Sequence, residues 1–244
     1  MAMTFFQSIF SIFQTHGLAF FEATWITVTL TVVSLLIASV IGLIFAFFKV
    51  SGIFILEKIA DLYIFLVRGL PLIVQLMFLY YGISSVLVLS DFTAGALALG
   101  IHSGAYIAEI FRGAIQSTDR GQMEAARSLG MPYALAMRRI ILPQAFKRAI
   151  PPLGNQFIIG LKDSSLVAYI AVTELFNNAL SVQAENYMPF ETYFVVGMYY
   201  LALVLIFTII VNKLEKRLDV GKQREAKAGK AKRRDEKLRE GTTA

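Results

Sequence analysis

Cysteine is absent from all 244 residues, which excludes disulfides, cysteine metal sites and thiol catalysis. Only two histidines occur, and neither has a second His or Cys at metal-ligand spacing. Charge is scarce: 16% of residues are Asp, Glu, Lys or Arg, against roughly 25% in soluble domains. A single Trp accompanies 20 Phe, an apolar surface of lipid-like rather than compact soluble character. No Lys or Arg precedes Lys49, and no small-residue cleavage site follows a short apolar core, so the N-terminus does not read as a signal peptide. The G-x-x-x-x-G-K-[ST] phosphate loop is missing as well.

What the chain does have is apolar sequence, 57% of it, gathered into runs of the roughly 20 residues that cross a bilayer. Thr24 to Phe48 is the first clear span, ended by the turn Lys49–Gly52. Residues Thr4 to Phe21 read as an interfacial helix or as an extension of that span. The second span, Leu56 to Gly82, carries Asp61 and Arg68 and is broken at Gly69-Leu70-Pro71, because Pro removes a backbone donor and kinks a helix. The third is Phe92 to Phe111. The fourth opens at Pro151-Pro152 and runs to about Ile170, and the fifth is Tyr193 to Val211, with Thr173 to Glu191 as the loop before it. The fold class is therefore an all-α integral membrane protein with five transmembrane helices. Its expected parts are an extracytoplasmic or interfacial segment 1–23, a membrane domain 24–218 containing a polar loop at about 117–146, and a basic, unstructured tail 219–244.

A net charge of +6 taken alone would suggest nucleic acid, but its distribution argues otherwise. Twelve of the 23 Lys and Arg lie after Asn212, and the segments before span one, between spans two and three, and between spans four and five carry none. Positive-inside bias then puts the N-terminus outside and the C-terminus in the cytoplasm, as an odd number of spans requires. The tail lacks the apolar residues to fold alone and reads as a solvated segment near anionic lipid.

The stretch Arg112 to Arg148 is too polar for lipid and too patterned for a loose loop. Asp119 is placed to cap a helix, with Gln122 at the capping-box position. Met123, Ala126 and Leu129 recur at helical spacing, and Gly130 suits the left-handed residue after a helix end. A second amphipathic helix follows from Tyr133 to Leu142, with Arg138 and Arg139 on its polar side, and Pro143 interrupts it. Such a short helix either docks in a partner's groove or lies on lipid headgroups.

The residues Glu124-Ala125-Ala126, Gly130, Ile140 and Leu142-Pro143 follow the spacing EAA-x3-G-x9-I-x-LP. That resembles the signature loop of ABC importer permeases. Further segments resemble permeases of the polar amino acid uptake family: Arg68-Gly69-Leu70-Pro71, Ser103-Gly104-Ala105-Tyr106 with Glu109, Arg112 and Gly113, Pro151-Pro152-Leu153-Gly154-Asn155-Gln156, and Lys162-Asp163-Ser164-Ser165-Leu166. The similarity runs from about Gly17 to Leu218, with Leu70 where the family usually has Thr and His102 where it usually has Asn. The resemblance implies a permease of the bacterial plasma membrane working with a second permease subunit, homologous or identical, two ATP-binding subunits and an extracytoplasmic amino-acid-binding protein. ATP and Mg would be held by the ATPase, with no cofactor in this chain. Glu124, Ala125, Ala126, Gly130, Leu142 and Pro143 would form the surface that couples the chain to its ATPase.

Ionisable groups at membrane depth are costly and mark pathways or pairs. His102, Tyr106, Glu109 and Gly113 fall on one helical face, with Ser103 beside them. The fourth span offers Asn155, Gln156, Lys162, Asp163 and Ser164. Two readings of these groups stand open. Glu109 pairs with Arg112 or Lys162 and holds spans together, or Glu109, Asp163 and the amides line a cavity for a zwitterionic solute. A secondary transporter or channel also suits broken helices and buried charge, but gives no reason for the loop from Glu124 to Pro143. A membrane enzyme would need a clustered acid, base or nucleophile set that is not evident here.

Overall fold

A computed structural model describes residues 4–83 and 87–218, and every element among them is helical. The expected tail, 219–244, lies outside the described residues. Helix α1, Phe5–Val50, is one unbroken rod of 46 residues, about 69 Å at 1.5 Å per residue, so residues 5–23 continue the first span without a joint. Gly52, at φ +71°, turns the chain into α2, Phe54–Gly69. After the break at Leu70-Pro71 comes α3, Leu72–Ile83, bent 104° from α2. Helix α4 spans Asp91–Gln116, opened by Ser90, whose Oγ accepts from the Thr93 N–H.

Next come α5, Arg120–Ser128, and α6, Tyr133–Ala136, which runs through a π-helical turn, Met137–Ile141, into α7, Leu142–Asp163. A 3-10 turn, Ser164–Ile170, precedes α8, Leu175–Asn186, and α9 closes the described chain at Pro189–Leu218.

Three readings of the sequence are corrected here. Pro143 does not interrupt the helix after Tyr133. It sits at the start of α7, directly after the wider π turn, and Gln144 Nε2 donates to the Ile140 carbonyl at 3.0 Å, supplying a partner within that turn. Pro151 and Pro152 lie inside α7 rather than opening it. The stretch Thr173 to Glu191 is not a loop but contains α8, whose first N–H groups are capped by the Glu174 carboxylate.

The direction of each helix can be read from its contacts. A Cβ on Gly100 would lie 2.7 Å from Ile37 Cγ2, one on Gly104 would meet Ile41 Cγ2 at 2.9 Å, and one on Gly42 would meet Ile107 Cγ2 at 2.5 Å. Register therefore rises together along both helices, and α1 and α4 run parallel. Tyr199 of α9 lies against Phe13, Gly17 and Phe20, while Phe5 meets Phe190 and Phe194, so α9 is parallel to α1 too. Helix α7 runs the other way, since Gly154 faces Val211 and Phe157 faces Phe207.

Parallel α1 and α4 require one return crossing between them, which the bent pair α2–α3 supplies. Among the described residues three helices, α1, α4 and α9, are long and apolar enough to cross a membrane, and counting each bent pair, α2–α3 and Tyr133–Ile170 with α8, as one span brings the crossings to five.

The α1–α4 seam is built of small residues. Ser34, Ala38, Gly42 and Ala46 recur every fourth position on α1, and Ala96, Gly100, Gly104 and Ala108 do so on α4. In a membrane, helices gain by close backbone packing rather than by expelling water, and small residues at this spacing permit it. Gly42→Val is expected to be destabilising by about 1–3 kcal/mol through overpacking against Ile107. Gly197→Ala, on an open face of α9 with nothing near its Cβ position, should leave stability unchanged or raise it by about 0.4–1 kcal/mol. Thermal unfolding of both variants in detergent checks the pair.

Candidate solute pathway and coupling surface

The break in the second span gathers the polar residues of the candidate pathway. Ending α2 at Gly69 frees carbonyls that hydrocarbon cannot satisfy. Gln75, one turn into α3, folds back and donates through Nε2 to the carbonyls of Val67 at 2.7 Å and Leu70 at 2.8 Å. Its Oε1 then faces α4 and lies 3.4 Å from His102 Nδ1. Next along α4, the His102 and Tyr106 rings sit 5.3 Å apart, and the Arg68 guanidinium lies 5.1 Å from the Tyr106 ring centroid. Tyr63 ties the same two helices by donating to the Ile101 carbonyl at 2.6 Å. The break thus brings Arg68, Gln75, His102 and Tyr106 together. Gln75 was not singled out from sequence, although a Gln four residues after a Pro break was the available sign.

Of the two pairings open for Glu109, the structure forms the one with Arg112. Arg112 Nε donates to both Glu109 oxygens at 3.1 Å and Nη2 donates at 2.6 Å, while Nη1 reaches Gln116 at 2.6 Å. Gly113 continues the face and is exposed. Ser103 is buried on α4.

On α7, Gln156 is buried and Asn155 exposed. Lys162 and Asp163 make no ion pair with each other or with α4 among the described residues. Ser164 is fully buried, its hydroxyl donating to the Leu161 carbonyl at 2.8 Å. Among the described residues no direct bond therefore joins the polar stripe of α4 to Gln156, Lys162, Asp163 or Ser164, although the helices pack on one another.

The candidate coupling loop forms a short, firmly stopped helix. Asp119 accepts from the Gly121 N–H at 2.8 Å, so the cap runs through Gly121, and Gln122 does not complete a capping box. At the far end Gly130 has φ +82°, with Met131 N–H bonded to Ala126 O at 3.1 Å and Gly130 N–H to Arg127 O at 3.0 Å. These are the two bonds of a Schellman motif. Ala126 is buried and Met123 packs inward, but Leu129 does not share that face: it is 84% exposed. Glu124, Ala125 and Gly130 are exposed with it, as is Pro143, whereas Leu142 packs against the core beneath. Arg138 and Arg139 are both exposed, as their polar face requires.

This architecture defines a multi-pass membrane permease: crossings of alternating direction, a broken span at a polar stripe, and an exposed helix between α4 and α7. The family model of the binding-protein-dependent transport system inner membrane component matches residues 38–220, and the chain belongs to that family. It is similar to the glutamine transport system permease protein GlnP of Escherichia coli strain K12, 38% identical over 202 residues, covering 82% of this chain and 92% of that one. It is likewise similar to the probable glutamine ABC transporter permease protein GlnM of Bacillus subtilis strain 168, 40% identical over 194 residues, covering 79% and 90%.

Among solved structures, an amino acid ABC transporter crystallised with histidines superposes with a TM-score of 0.80 at 38% identity, covering 89% of this chain and all of that one. The MetNI methionine ABC transporter in an inward-facing form shares the fold, with a TM-score of 0.74 at 18% identity and coverage of 83% and 97%. The chain is thus the membrane-embedded permease component of an ABC importer. It is a transport subunit, and the family leaves ATP hydrolysis to separate ATP-binding subunits.

One buried carboxylate escaped the sequence reading. Glu174 has no exposed surface and accepts from Phe176 N–H at 2.9 Å, Asn177 N–H at 2.8 Å, Tyr200 Oη at 3.0 Å and Thr27 Oγ at 3.5 Å. The Thr27 hydroxyl also accepts from the Leu175 N–H at 3.1 Å. One side chain therefore ties α1, α8 and α9. Replacing a charged acceptor by an amide leaves donors facing donors, so Glu174→Gln should lower stability by about 1–3 kcal/mol. Glu22→Gln, exposed on α1, should not. Detergent melting curves of the two variants test the difference.

Proposed function

We propose that this chain forms the solute path of an ATP-driven importer of polar amino acids in a bacterial plasma membrane. It works beside a second permease subunit, homologous or identical, over two cytoplasmic ATP-binding subunits that hold ATP and Mg, and beneath an extracytoplasmic amino-acid-binding protein. Relatives named for glutamine and arginine transport, at 37–40% identity over about four-fifths of the chain, support the solute class. The observation that carries the coupling role is the exposed, Schellman-stopped helix α5, with Glu124, Ala125, Leu129 and Gly130 open to a partner.

Orientation follows from charge. The C-terminal ends of α1 and α4 share one side, and Lys49, Arg112 and the basic residues 120–148 lie at that side. Positive-inside bias makes it cytoplasmic, with the N-terminus outside. Within the path, Asp163, helped by Glu109, His102 and the exposed Asn155, compensates the α-amino group of the solute, and Lys162 balances the charge of Asp163 in the empty state.

Impermeant labelling of single cysteines in intact cells should modify Gln7→Cys, Ser90→Cys and Ala184→Cys, all exposed, and spare Ser117→Cys; labelling at 117 before permeabilisation overturns the orientation. Gly130→Val forces a side chain into the left-handed region, a local cost of about 1–2 kcal/mol. The variant should insert and purify normally, yet lose at least tenfold in uptake together with substrate-stimulated ATP hydrolysis. Coupling at the parental level would remove α5 from that role. Asp163→Asn should assemble and reach the membrane with reduced uptake or altered selectivity. Restored stability and transport in the double variant with Lys162→Met would assign Asp163 to pairing alone.

A further inference from the structure

Most charges set within the crossings are matched. Lys49 meets Asp61, Arg112 meets Glu109 through three bonds, and Glu174 is surrounded by donors. Arg68 is not matched: no carboxylate lies within 4.0 Å of it among the described residues. The acceptors nearest to hand are already taken. The carbonyls of Val67 and Leu70 hold Gln75 Nε2, and both Glu109 oxygens hold Arg112.

What Arg68 has instead is a platform. Its guanidinium carbon lies 5.1 Å from the Tyr106 ring centroid, on the aromatic face beside His102 and the helix break. A guanidinium over an aromatic face keeps its N–H edges free, and two parallel edges match a carboxylate in a two-bond fork. Lys162 and Asp163, also unpaired, stand next to each other on α7 and balance in charge; the carboxylate whose field Arg68 shares, Glu109, is bonded instead to Arg112.

We propose that Arg68 is the carboxylate-recognising residue of the path: its guanidinium, laid on Tyr106 at the break between α2 and α3, takes the α-carboxylate of the transported amino acid. The inference rests on the reading that the chain moves amino acids, and it adds the anion site that a zwitterion needs opposite Asp163. An anionic lipid headgroup offers similar chemistry. Arg68, however, stands fourteen residues beyond Phe54, about 21 Å of helix from the turn that enters α2, whereas Lys49 and Lys58 are the cations set near that turn.

The test uses the permease co-purified with its ATP-binding subunits and reconstituted in nanodiscs. Binding of an equimolar mixture of tritiated L-amino acids is measured by equilibrium dialysis and competed with the same amino acids, unlabelled, either as free acids or as their carboxamides. The parent should bind label, with free acids competing at least tenfold better than carboxamides. Arg68→Gln should lose at least tenfold in affinity for the acids and compete equally with both forms, with basal ATP hydrolysis as the check on assembly. Arg68→Lys, which keeps the charge without the fork, should show a reduced but surviving acid preference, and it gives the answer if the Gln variant does not assemble. An acid preference undiminished in either assembled variant overturns the inference, and so does a parent that binds acids and carboxamides alike. A preference that vanishes in discs of phosphatidylcholine alone, but returns with phosphatidylglycerol, assigns Arg68 to lipid and also overturns it. A parent that binds no amino acid at all counts instead against amino acids as the solute, and the inference falls with that reading.

Discussion

The structure depends on two helices lying almost backbone to backbone. In hydrocarbon, burying one apolar helix face on another expels no water, so association has to come from contact at short range. The α1–α4 seam provides this contact with a small residue at every fourth position on each side, and at Gly42, Gly100 and Gly104 there is no room for a Cβ. Because the seam is parallel, the chain between the two helices must come back across once. That return crossing is squeezed beside the seam, where Tyr63 reaches the Ile101 carbonyl and stacks on Phe45 at 4.0 Å. The break at Leu70-Pro71 and the polar stripe of α4 face one another for the same reason: the seam fixes where the return crossing has to run.

A break inside a membrane is stable only when its freed carbonyls find donors. Here a single amide meets two of them, and its remaining oxygen points at His102. The group that repairs the backbone therefore also orients the His102 side chain. Arg68, relieved of capping duty, lies on Tyr106. Structural repair and the polar stripe of α4 share the same few residues, so a change to Gln75 would disturb both.

Much of this was legible in the sequence. The apolar runs, the Gly69-Leu70-Pro71 break, the stripe from His102 to Glu109 and the left-handed residue at Gly130 rest on local rules: run length, the missing donor of proline, helical period and the freedom of glycine. The helix α8 was not legible, because its capping residue Glu174 reads as one more acidic residue of a polar loop, and its partners Thr27 and Tyr200 lie far away in sequence. Pro143 and Pro151-Pro152 misled for a related reason. Proline rules apply to an isolated helix, whereas here a π turn and the Gln144 side chain accommodate the first proline. Leu129 fits the apolar period of α5 yet faces outward, and periodicity cannot tell a core contact from a surface kept for a partner. The choice between Arg112 and Lys162 for Glu109 needed three dimensions, since both offers were chemically equal on paper.

Helix α1 is held at more than one level, with Leu30 in a core of its own beside α3 and α4. Ile12 and Phe20 belong to a core shared with α7, α8 and α9, while Ala38 and Ala46 belong to another shared with α4 and α7. A continuous helix has no joint between these levels, so no one core can be displaced alone. Mechanically α1 is a lever whose fulcrum is the glycine seam. A small tilt at the level of Val50, one turn beyond the seam, reappears, reversed in direction and scaled by the length of the arm, at the level of Ile12. The two faces of the membrane are thus linked by stiffness, without any change in chemistry along the way.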